Sequence, residues 1–248
     1  MVTLSGIGDS RPRPGCIRLL HLVARCGSTA GPPESVLPAL NGAVGLGVRF
    51  IEVDVSMSAD GAPMLSDVLL LLRERPELTA FIVLGQAHLT RFGHDQVVAG
   101  VCGALGPVCS RCVLVSPDLS AIFRARRIAR CATGWILPAY DPHTRLKCEA
   151  LQPQYLFCHH SLLPAAGALW RGPWRWVIHD VTSLELALQL AERGAGFIAT
   201  RHVAEMSDAM RAYAVAKDRD RAADAGEEPP PDLCPASLDG RDLGDVEE

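Results

Sequence analysis

The sequence predicts an α/β protein made of repeated strand–helix units, either a closed (β/α)8 barrel or an open doubly wound sheet. Three observations predict it. Eight short apolar runs are spread along residues 19–199, each bounded by Gly, Pro or charge. Amphipathic stretches lie between them. In "TSLELALQLAERGAGFIAT" (182–200) a helical pattern ends at a glycine and a strand pattern follows at once. Pattern alone does not say whether the sheet closes.

The elements follow in order. Leu19–Ala24 and Phe50–Val55 are runs without helical periodicity, as expected of parallel strands buried on both faces. Leu78–Leu84, Cys112–Ser116, Gly134–Leu137, Tyr155–Cys158, Trp174–Ile178 and Gly196–Ala199 read the same way. Helices are expected over Glu34–Val44, Ser66–Glu74, Asp95–Leu105, Leu119–Arg130, Arg145–Ala150, Ser183–Arg193 and Val203–Lys217. In the sixth of these, Leu184, Leu188 and Ala191 form one stripe, widened by Leu186, Ala187 and Leu190. Thr182 or Ser183 can cap its start and Gly194 ends it. GAVGLG (42–47) has glycines in loose dinucleotide-binding spacing, but it ends a helix and precedes a strand, the reverse of what that motif needs.

Composition bounds the rest. At 248 residues and 48% hydrophobic, the chain can bury one sizeable core. It has no apolar run of about 18 residues, so no membrane span is expected. MVTLSGIGDSRPRPG has no apolar segment after its charges, so no secretory leader is expected. Nine irregularly spaced cysteines then read as free thiols in a reducing cytoplasm. Cys109 and Cys112 form a lone CxxC without the second half a zinc site needs.

Charge is uneven. Residues 218–248 carry eleven Asp/Glu against three Arg and include three successive prolines, so a disordered acidic tail is expected there. The domain reading is therefore an N-terminal extension (1–16), a barrel (17–217) and the tail (218–248). The body is mildly basic, which suits a small anionic ligand but is too weak to indicate nucleic acid. RARRIAR (124–130) reads as a solvated helix surface. Trp170, Trp174 and Trp176 read either as an apolar entrance or as core.

One set of motifs goes further. RCG (25–27), PES (33–35), EVD (52–54) and DGAPML (60–65) follow one another in that order, and "LTAFIVLGQ", "RCVLVSPDLSAIF", "WRWVIHDVTSLELALQLAERGAGFIAT" and "VAEMSDAM" continue the pattern to residue 210. Over residues 17–210 the chain resembles the glycerophosphodiester phosphodiesterase family. The resemblance implies a TIM (β/α)8 barrel of the PLC-like phosphodiesterase type, here with a shortened loop after strand 2. It also implies hydrolysis of glycerophosphodiesters to glycerol 3-phosphate and an alcohol, a divalent metal (Mg or Ca) and a place in lipid metabolism.

Such chemistry needs one group to protonate the leaving alkoxide and one to activate the attacker, which paired histidines do near neutral pH. It also needs oxygen ligands for the cation. The resemblance puts Arg25 at the first histidine, Cys26 at the arginine and Asp67 at the second histidine, or Ser66 if the loop is one shorter. Val83 and Gly85 stand where the family has Glu-x-Lys. Neither catalytic histidine is retained. Glu34, Glu52 and Asp54 remain, with Glu52 and Asp54 an incomplete metal pair and Arg25, Gly27 and Glu34 the candidate binding residues.

His21 lies four residues before Arg25, about 13 Å along a strand, and so toward the barrel floor. Either Glu52 and Asp54 hold a metal, or Arg25 neutralises them in its place. His159, His160, His179 and Asp180 end the sixth and seventh strands and offer a relocated acid–base or metal site. Three functions stay open: a degenerate barrel whose mouth binds a phosphoester, a glycerophosphodiester or a protein partner; an active metal-dependent phosphodiesterase with rebuilt groups; and a non-catalytic structural subunit.

Overall fold

The computed structural model describes residues 20–26, 37–128 and 131–224. In chain order these form β1 (His21–Cys26), α1 (Leu37–Gly45), β2 (Phe50–Asp54), a hairpin of β3 (Ser56–Met57) and β4 (Pro63–Met64), and α2 (Ser66–Glu74). Next come β5 (Thr79–Val83), α3 (Gln86–Phe92), α4 (His94–Leu105), β6 (Cys112–Ser116), α5 (Leu119–Ile128), β7 (Ala132–Ile136) and α6 (Pro142–Leu151). The last elements are β8 (Tyr155–His159), β9 (Arg175–His179), α7 (Leu184–Glu192), β10 (Phe197–Thr200) and α8 (Val203–Asp224).

Eight strands close into a barrel in the order β1, β2, β5, β6, β7, β8, β9, β10, with β10 pairing back to β1. All eight pairings are parallel. This settles the closure that pattern left open. The period of two sorts every strand into an inside and an outside face. On β2, Ile51 and Val53 point out into the layer shared with the helices, so Phe50, Glu52 and Asp54 point in. On β1, Leu22 and Ala24 face that outer layer and Val23 faces in, which also turns His21 and Arg25 inward.

The barrel interior is filled from the floor by aromatic rings. Phe81 meets Phe157 and Tyr155 edge-on at centroid distances of 5.2 and 5.1 Å. Phe50 meets Phe197 edge-on at 4.9 Å. Each such ring contributes about 1.5–3 kcal/mol on burial. Gly134 makes room for them, since a Cβ there would lie 2.6 Å from Phe157. His21 packs against Phe50 and Phe197 at the floor, where burial, with Arg175 and Arg49 nearby, holds its imidazole pKa down. It is remote from the C-terminal end of its strand, as its place in the sequence implies.

A helix follows each barrel strand except β8, where a short 3-10 turn (His160–Leu162) leads into an extended segment down to β9. "PAAGALWRGP" is too rich in Pro and Gly to continue as a helix. The segment is anchored instead. Arg193 donates to the carbonyls of Gly167 and Pro164, and the Trp174 and Trp176 indoles both donate to the Trp170 carbonyl. The Trp170 ring stacks on Tyr140 at 3.9 Å. The tryptophans thus pack this connection, with Trp174 and Trp176 buried.

Several sequence expectations are corrected. β1 runs from His21 to Cys26, two residues past the expected end at Ala24, so it includes Arg25. α3 was not expected, and in α7 Ala187 and Leu190 are the buried residues. Cys109, expected to be a free thiol, is bonded to Cys131. Their chain segments enter the neighbouring strands β6 and β7, with Cα atoms 5.4 Å apart, within disulfide reach. Cys112 points elsewhere, toward the Val108 carbonyl, and burial pushes its thiol up to about 12.

The chain divides into two compact units, residues 1–209 and 210–248, and the barrel belongs to the first. α8 continues through "DRDRAAD" to Asp224, past the expected end at Lys217, because Arg and Ala there are good helix formers. The expected extension (1–16) and residues 225–248 lie outside the described residues. Only the β3–β4 hairpin separates β2 from α2, consistent with a short connection there. No described helix is long and apolar enough to cross a membrane.

Candidate functional site

The C-terminal ends of β1, β2, β8 and β9 bring five polar side chains together at the barrel mouth. Parallel pairing sets Arg25 beside Glu52 and His159 beside His179. Arg25 Nε lies 3.1 Å from Glu52 Oε1, an ion pair that was one of the two readings left open for Glu52 and Asp54. The other Glu52 oxygen is 3.0 Å from His179 Nε2. Arg25 Nη1 donates to Asp180 Oδ1 at 2.9 Å, and His159 Nε2 is 3.1 Å from Asp180 Oδ2. The result is a chain of contacts: His179, Glu52, Arg25, Asp180, His159.

Its two halves differ. Glu52 is 2% exposed and His179 is buried with it, whereas Asp180 is 39% exposed at the side chain. The inner contacts are close but poorly aligned. Among the described residues, Arg25 Nε, Glu52 Oε2 and His179 Nε2 are buried without a hydrogen bond of good geometry. A buried charge without aligned hydrogen bonds is held mainly by its opposite charge. In the outer half Arg25 donates a well-formed hydrogen bond to Asp180, which reaches it from a left-handed backbone conformation (φ 55) that Asp adopts more readily than most residues. Burial opposes ionisation of Asp180, but Arg25, His159 and His179 together hold its carboxyl below the usual range.

His159 is committed on both ring nitrogens. The Ser161 backbone N–H donates to Nδ1, which leaves the proton of the neutral ring on Nε2, facing Asp180. Asp54 stands apart, half-buried and with no ion pair within 4 Å among the described residues. Burial and then the Glu52 charge push its carboxyl up, partly offset by Arg25, Arg201 and His179. Arg25 therefore neutralises Glu52 and Asp180, not the Glu52–Asp54 pair. Asp67 lies in the first turn of α2. Gly27 and Glu34 lie outside the described residues.

A divalent cation fits these residues poorly. Both Glu52 oxygens already face protein nitrogens, and no group of three His, Cys, Asp or Glu that could hold a metal occurs among the described residues. A second polar cluster joins His94 Nε2 to Asp118 at 3.0 Å, with Gln86 on the same oxygen. The other Asp118 oxygen accepts from the backbone N–H groups of Ser120 and Ala121, so this aspartate caps α5.

Sequence reasoning placed His159, His179 and Asp180 at the rim but did not pair them. Counting by twos along "RWVIH" from the inward Val177 puts His179 inside, a signal that was available. The Arg25–Asp180 contact spans 155 positions and left no local trace.

No family model matches the chain, and no curated protein is similar to it in sequence. Solved structures do match. A glycerophosphodiester phosphodiesterase from Parabacteroides distasonis superposes with a TM-score of 0.64 at 13% identity, covering 79% of this chain and 99% of that one. A phosphodiesterase from Oleispira antarctica, in complex with its product sn-glycerol-3-phosphate, gives 0.62 at 16% identity, covering 78% and 97%. A dihydropteroate synthase from Stenotrophomonas maltophilia gives 0.50 at 11%, covering 82% and 94%, so likeness of this degree speaks to architecture. The chain has the barrel fold of the glycerophosphodiester phosphodiesterases.

Proposed function

We propose that the protein is a glycerophosphodiester phosphodiesterase-like barrel that does not carry out metal-dependent hydrolysis, and that its mouth binds a phosphoester through Arg25. The observation that carries this reading is the ion pair between Arg25 and the buried Glu52. Arg25 stands where the family resemblance expects a catalytic histidine, and it holds a carboxylate the resemblance assigns to the metal. The product-bound Oleispira enzyme supports a phosphoester as the ligand class.

A rebuilt acid–base site is less well supported. His159 and His179 do meet at the mouth, but a general acid or base must present a nitrogen to the substrate. His179 is buried with Nε2 turned onto Glu52, and His159 keeps Nδ1 on Ser161, which leaves His159 Nε2, on the solvent side against Asp180, as a single group where hydrolysis needs both an acid and a base. The test is an NMR titration with sn-glycerol 3-phosphate. The His159 and His179 ring resonances are expected to move in the wild type and to stay still in Arg25→Met. Unmoved resonances in the wild type at millimolar ligand overturn the reading.

A further inference from the structure

The outer half of the mouth holds its own carboxylate much as it would hold a ligand. Asp180 directs one oxygen to Arg25 Nη1 at 2.9 Å and the other to His159 Nε2 at 3.1 Å. Both partners are fixed. Arg25 is anchored through Nε beside Glu52, and His159 through Nδ1 against the Ser161 backbone N–H and hydroxyl. Two positioned nitrogens, Arg25 Nη1 by a hydrogen bond and His159 Nε2 by ion-pair contact, therefore converge on one pair of acceptor oxygens, on the solvent side of the cluster. A phosphoester presents the same pair of oxygens on one centre.

Asp180 differs from the rest of the cluster in two ways. It is more exposed than Glu52, and it reaches the donors from a left-handed backbone, a conformation that costs a non-glycine residue something to hold. The adjoining residue, Val181, is buried and hydrogen-bonded to the Ala199 carbonyl, so the segment stays in place if the Asp180 side chain turns away.

We propose that Arg25 and His159 form an anion site for a phosphoester, and that the Asp180 carboxylate occupies this site as a built-in competitor which the ligand must displace. The inference rests on the reading that the mouth takes a phosphoester, and it adds how that binding is held back. An anion entering beside Asp180 meets a like charge, which disfavours it strongly at close range. Removing that charge should favour the ligand.

Calorimetric affinities for sn-glycerol 3-phosphate test it in the wild type, Asp180→Asn and Asp180→Gly. Asn keeps the shape and tolerates a positive φ, and Gly removes the side chain where φ suits it, so both should fold. Asp180→Asn is expected to bind about tenfold tighter than the wild type, and Asp180→Gly at least as tightly. Adding Arg25→Met should abolish the gain. Wild-type binding with no gain in either variant overturns the competitor while leaving the phosphoester reading intact. No binding by any of the three overturns both.

Discussion

Replacing Arg25 by methionine removes one positive charge from beside a carboxylate that has no access to water. Glu52 is 2% exposed, and the Arg25 side chain only 20%. Breaking a buried pair by deleting one partner costs about 3–5 kcal/mol, because the other charge stays buried. His179 still faces Glu52, so the lower end, about 3 kcal/mol, is expected. For a domain of this size that corresponds to a fall in Tm of roughly 6–12 °C. Glu52→Gln in the same chain removes the orphaned charge and should restore part of the loss, a coupling of about 1–3 kcal/mol. Denaturant unfolding of the two single variants and the double variant measures the cycle. A loss under about 1 kcal/mol for Arg25→Met, or additive effects in the double variant, would refute the claim that these charges hold one another.

Other outcomes follow from the same geometry. Asp180 has a folded pKa below its unfolded value, so its stabilising effect is present above the usual carboxylate range and is lost as pH falls through the folded pKa; in Asp180→Asn this part of the acid limb of stability should disappear. Asp54 is shifted upward, so its penalty sets in as pH rises, and Asp54→Asn should raise Tm at pH 7 but not in acid well below the usual carboxylate pKa. Gly134→Ala drives a methyl into Phe157 and should cost about 1–3 kcal/mol by thermal unfolding. Cys109→Ser with Cys131→Ser opens a loop spanning 22 positions and should cost about 3 kcal/mol, while a non-reduced peptide map of the wild type should contain the linked pair.

The barrel strands were legible because strands buried on both faces leave apolar runs, and Cys112–Ser116 matches its expected span residue for residue. β1 was misplaced at its end because its apolar run stops at Ala24, while backbone pairing carries the strand on through Arg25 opposite Glu52. α3 was illegible: "QAHLTRF" is seven residues long, has no side-chain cap, and only Leu89 is buried. The extension of α8 was hidden by counting "DRDRAAD" with the acidic residues that follow it. At the site, the inward face of Glu52 and Asp54 was readable from the period of two. The partners were not, since Asp180 joins Arg25 across the closed barrel and Cys109 finds Cys131 across two strand entries. Such choices depend on where the chain closes, which no local pattern records.

The central claim is that an arginine-held ion cluster stands in place of the hydrolytic machinery. ³¹P NMR of glycerophosphocholine incubated with the purified protein and Mg²⁺ or Ca²⁺ tests it most directly. The account predicts that the phosphodiester signal persists unchanged for hours at either metal. Growth of a sn-glycerol 3-phosphate signal that Glu52→Ala abolishes would contradict it.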